Sequence, residues 1–62
     1  MENHIAVMGK RTDEKEWGMH VAYSIDKIGV KEAVQKAIEF MEVEKSQPYS
    51  RLIEYKLQGM EF

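Results

Sequence analysis

Cysteine is absent from this 62-residue sequence. Disulfides are therefore excluded, and so are the structural zinc sites that depend on thiolates. Histidine occurs twice, as His4 and His20, which is too few ligands to close a tetrahedral site. No metal and no other cofactor is expected. Long apolar runs are missing as well. The longest are three or four residues, so nothing here predicts a span across a bilayer. Neither charge sign dominates, with nine Lys and Arg against eleven Asp and Glu. A formal charge of −2 gives no electrostatic reason to seek nucleic acid or an anionic membrane surface.

A chain of this length predicts one domain, 1–62, that buries only roughly 60% of the surface its unfolded form exposes. Without disulfide or metal, stability must come from an efficient core or from a partner chain. The opening MENHIAVMGKR lacks a basic flank followed by an apolar stretch, so it does not read as a secretory signal. Freedom from cysteine fits a reducing cytoplasm.

Punctuation is sparse: Gly9, Gly18, Gly29, Pro48 and Gly59. Between Gly29 and Pro48, the residues Val30, Ala33, Val34, Ala37, Ile38 and Met41 recur at helical spacing. Glu32 falls in the first turn, where a carboxylate suits the helix dipole, and Gln47 precedes a proline that pushes it out of the α region. The spacing predicts a helix over 30–45 whose stripe faces a core. On that reading Val34→Asp and Ile38→Asp each bury an unpaired charge and abolish folding.

After Pro48, Ile53, Tyr55 and Leu57 alternate with Glu54, Lys56 and Gln58, which predicts a strand near 50–58. Residues 4–9 form a short β-like run, and KRTDEKE at 10–16 reads as a solvated loop. The stretch WGMHVAYSID at 17–26 is open to two readings. As a strand it places Trp17, Met19, Val21, Tyr23 and Ile25 on one face, and Gly18, His20, Ala22, Ser24 and Asp26 on the other. As a helix it leaves Met19 and Tyr23 off the apolar stripe and carries Gly18 inside at a cost of about 1 kcal/mol. The strand reading accounts for more residues.

The predicted fold is therefore α+β: a small β-β-α-β domain with a three-stranded, mainly antiparallel sheet and one helix packed on one face. Ile5, Val7, Val21, Tyr23, Ile53 and Tyr55 would meet the helix. Ala6, Met8, His20, Ala22 and Ser24 would lie on the uncovered face. Ala6 and Met8 are the candidate dimer face. Trp17, His20, Ala22, Phe40 and Phe62 are candidate partner-binding residues, since aromatic side chains concentrate at interface hot spots.

Chemistry is thinly represented. Ser24, Ser46 and Ser50 are the serines, and none sits in a G-x-S-x-G turn. No nucleophile, base and orienting group are nominated together. Neither GxxxxGK nor GxGxxG occurs, and Lys10 and Arg11 are offset within a few residues by Asp13, Glu14 and Glu16. No catalytic residue is predicted. His4 and His20 could face each other on the outer side of the hairpin, but they read as two exposed histidines.

On the helical reading of 13–28, the chain resembles the ribbon-helix-helix repressors. HIAVMGKR would be the strand, KIG the turn, and VKEAVQKAIEFME is similar to that family's second helix, which commonly reads like SEAIRxAIxxY. The resemblance implies a dimer that reads the major groove with paired strands, through the outward residues His4, Ala6, Met8 and Lys10. The family's S-x-S turn after the glycine is missing here, and Pro48 begins an extra segment. The favoured expectation is instead a small non-catalytic regulatory or interaction protein acting through protein contact, with itself as the first partner. Accessory proteins of phages and mobile elements share this profile by analogy. A third expectation is small-ligand binding at a subunit interface.

Overall fold

A computed structural model describes all residues, Met1–Phe62. Its elements run β1 (Asn3–Arg11), β2 (Gly18–Ser24), a one-turn helix α1 (Ile25–Ile28), α2 (Val30–Lys45), a 3-10 turn (Pro48–Leu52) and β3 (Ile53–Glu61). The sheet order is β2-β1-β3, and β1 is antiparallel to both neighbours. The two outer strands are thus parallel to each other. Their connection has to cross over β1, and α2 is that crossover. The architecture is the β-β-α-β domain predicted, α+β with one main helix against an antiparallel sheet.

Local chemistry sets the boundaries. Ser24 ends β2 in an extended conformation, and its hydroxyl accepts the Lys27 N–H at 3.2 Å, capping α1. Gly29 takes φ of 85°, a conformation that favours glycine, and so separates α1 from α2. At the far end, Gln47 is extended before Pro48, as steric conflict with the proline ring requires. Instead of starting a strand at once, Pro48 opens the 3-10 turn, so the last strand occupies 53–61 rather than 50–58. The buried Ser50 hydroxyl lies 2.8 Å from the carbonyl oxygens of both Lys45 and Gln47, and ties this turn to the end of α2.

Pairing assigns the faces. Ile5, Val7 and Gly9 share one face with Val21, Tyr23, Tyr55 and Leu57. This is the helix face, because Tyr23 adjoins Phe40 and Val43 of α2 and Tyr55 feels the charge of Glu44. The core is small. Ala6, Val7, Met8, Ala33 and Ala37 are its buried apolar residues, and Val7 is the largest side chain fully removed from water.

Two expectations are corrected here. The contact line of α2 runs through Ala33 and Ala37, with Phe40 half-buried on the flank toward β2. Val30 and Ile38, read as core-facing, remain 57% and 39% exposed. Small side chains let the helix approach most closely, so the alanines and not the larger residues mark the line of contact. The second correction lies in β2. Register shifts between Val7 and Met8, where a bulge carries His20 and brings Met19 opposite Met8. One extra residue reverses the alternation on its far side. Trp17 and Met19 therefore lie on the outer face, while His20 lies over Gly9 and Tyr55 of the helix face.

Candidate functional site

Three groupings gather polar and aromatic side chains. The first is on the outer face beside the β1–β2 loop. Trp17 is half-buried there, with the ammonium of Lys56 4.5 Å from its ring centroid and that of Lys10 at 5.5 Å. Lys10 also reaches Glu54 at 2.8 Å and the Glu14 carbonyl at 3.0 Å. Lys10, Glu54 and Lys56 come together because strand pairing sets Lys10 opposite Glu54 and Met8 opposite Lys56. Partly exposed pairs of this kind contribute about 1 kcal/mol or less each.

The second grouping is at the opposite end of the same face. His4 and Phe62 rings tilt against each other at 4.5 Å. Ser24 donates to the Glu2 carboxylate at 3.1 Å, and the same oxygen lies 3.7 Å from His4 Nε2. Glu2 thereby links the two edges of the sheet, since its backbone pairs with Phe62 and its side chain reaches β2.

The third is on the helix face. His20 meets Tyr55 edge-on with centroids 5.7 Å apart. The Tyr55 hydroxyl is buried without a hydrogen-bond partner. Burial, and then the charge of Glu44, push its titration above the ordinary phenol range. Tyr49 donates to the Glu44 carboxylate, and that hydrogen bond, followed by slight desolvation and by the Glu44 charge, raises its pKa from 10.0 to about 12.

None of these groupings has the parts of a catalytic centre, in which a nucleophile or acid is paired with a base and an orienting group. No cluster of three or more His, Asp or Glu side chains could hold a metal ion. His4 and His20 are not opposite one another; His4 pairs with Ser24 and Met60, while His20 is in the bulge. The surface hollows are shallow, and the apolar ones lie beside α2, between Tyr23 and Phe40 and along Val34 and Ile38.

The five candidate partner-binding residues do not converge. Trp17 and Phe62 sit at opposite ends of the outer face, with Ala22 half-buried between them. His20 and Phe40 belong to the helix side. Ala6 and Met8, the candidate dimer face, point outward as expected but are 0% and 8% exposed, so they offer little surface. The sequence pattern sets Lys10 in a solvated loop and Glu54 and Lys56 on the polar side of a strand, and nothing in it brings the three together. Their one signal was the alternation of Glu54 and Lys56 on a strand, which fixes them to a common face.

No helix is long and apolar enough to cross a membrane. No protein-family model, no curated protein and no solved structure matches this chain.

Proposed function

We propose that this is a small non-catalytic interaction or regulatory protein that works through protein contact, as a homodimer, in the cytoplasm. The observation that carries the reading is an imbalance in burial. Five apolar residues are buried, three of them alanines, while Met19, Val30, Ile38, Val43, Tyr49, Leu52 and Phe62 are among the large hydrophobic residues left exposed. Scattered exposed hydrophobics are ordinary; so many against so small a core favour a partner that removes some of them from water. Net charge near neutrality lets two copies approach without strong mutual repulsion.

The ribbon-helix-helix alternative loses its structural support. It needs helix over 17–28, where the chain instead forms a strand and a single helical turn. It also needs a first strand free to pair with another chain, whereas β1 is paired on both edges within its own chain. Sedimentation equilibrium tests the proposal. The expected result is a mass that rises with concentration toward twice that of the chain; a strictly monomeric mass at high micromolar concentration counts against it.

A further inference from the structure

Resting on the homodimer reading, we infer that the contact is strand addition at the free edge of β3, antiparallel and centred on Tyr55. Both outer strands of the sheet have an unpaired edge. That of β2 is seven residues long and broken by the bulge at His20. That of β3 is nine residues long, with no proline and no bulge. The β2 edge is thus guarded by a bulge, whereas on the β3 edge the guard is charge, Lys56 above all.

Hydrogen-bond parity fixes which groups are available. Glu2 and Phe62 exchange both of their backbone hydrogen bonds, and Thr12 donates to Leu52. The β1–β3 register runs without a break between these points. The even residues of β3 are thus bonded to β1. The N–H and C=O groups of Tyr55 and Leu57 and the C=O of Ile53 point to the open edge, while the Ile53 N–H is taken by the Ser50 carbonyl.

Charge then selects the register. A two-fold axis through Glu54 sets glutamate on glutamate, and one through Lys56 sets lysine on lysine; like charges directly opposed are unfavourable. An axis through Tyr55 sets Glu54 against the partner's Lys56, twice. These are non-hydrogen-bonded positions, where opposing side chains come closest. In the same register Ile53 faces the partner's Leu57, also twice, and Tyr55 meets the partner's Tyr55.

Each ion pair extends contacts already in place. Lys10 holds Glu54 at 2.8 Å, and Lys56 lies over Trp17. The outer face would carry a row of Lys10, Glu54, the partner's Lys56 and the partner's Met8. Across the helix face, Val21, Val7 and Leu57 would continue into the partner's Ile53. A lysine on an edge strand discourages pairing with strands that lack a carboxylate at the matching place. This chain supplies that carboxylate itself, which is why a second copy is the occupant. The product is one six-stranded sheet with both long helices on the same side.

The experiment uses charge reversal on the full chain. Glu54→Lys and Lys56→Glu each place like charges opposite one another, so each variant alone is expected to sediment as a monomer. Mixed in equal amounts, they restore opposite charges and are expected to form the heterodimer. Circular dichroism of each variant checks folding, because Glu54→Lys also gives up the Lys10 pair. A second measurement needs no variant. The amides of Tyr55 and Leu57 are free in the single chain, so their hydrogen exchange should slow as wild-type concentration rises. A wild-type dimer whose charge variants stay dimeric, or whose two amides exchange equally fast at all concentrations, overturns this interface and leaves the homodimer standing. A monomeric wild type overturns both.

Discussion

The imidazole of His20 occupies space that a side chain at Gly9 would need. A Cβ built on Gly9 would lie 2.6 Å from His20 Nε2, closer than real contacts allow. The glycine in β1 and the bulge in β2 are therefore one arrangement: the bulge turns His20 to the helix face, where it stays exposed, and the glycine leaves room for its ring against Tyr55.

Gly9→Ala is expected to swing the His20 ring outward. The obstructing atom is the end of a flexible side chain, so the cost should be modest, about 1 kcal/mol at the low end of overpacking penalties. The specific readout is the NMR shift of the His20 ring protons, which the Tyr55 ring displaces in the wild type. Unchanged imidazole shifts in Gly9→Ala would show that the ring does not depend on the glycine.

Charge placed along α2 should separate its true contact line from the apparent one. Ala37 is fully buried beneath the helix, and Ala37→Asp forces a carboxylate into the core without a partner. It is expected to abolish cooperative thermal unfolding. Ile38→Asp changes a residue that is 39% exposed, and should leave a cooperative transition with Tm lowered by no more than several degrees. Equal collapse of both variants would contradict the orientation of the helix.

Alkaline titration should resolve the tyrosines. In the folded chain Tyr49 titrates near 12 rather than 10.0, chiefly because its hydroxyl is bonded to Glu44. A raised pKa means that the fold favours the protonated form. The stability it contributes is complete below pH 10.0 and lost as pH rises through about 12. Ultraviolet difference titration of the wild type should show this late phenol, and Glu44→Gln should return it toward the ordinary range. A Tyr49 transition unchanged by Glu44→Gln would remove the carboxylate as its cause.

Much of this fold was legible from residue order. Ile53, Tyr55 and Leu57 alternate strictly, and they form the helix-face row of a strand. Gly29 and Pro48 bracket a helix that runs from Val30 to Lys45 as predicted. What escaped has definite physical causes. A period-two pattern cannot reveal one inserted residue, so Trp17 and Met19 were placed on the wrong face. The predicted helix stripe held Ala33 and Ala37 together with Val30 and Ile38, and spacing alone cannot tell that the sheet admits the helix most closely at the alanines. The Trp17, Lys10 and Lys56 cluster depends on pairing between β1 and β3, which no local signal encodes.

The central position of β1 also has a consequence for the order of folding. The β1–β2 hairpin joins residues near in sequence and can form early, but β1 then still lacks its second neighbour. That neighbour, β3, is the last element in the chain, and its register joins Asn3 to Glu61. Closing so long a loop is slow compared with forming a local turn. During synthesis the middle strand must wait with one side open until residues 53–61 have emerged. The interval in which this protein is most exposed to wrong pairing is therefore set by the time needed to make its final strand.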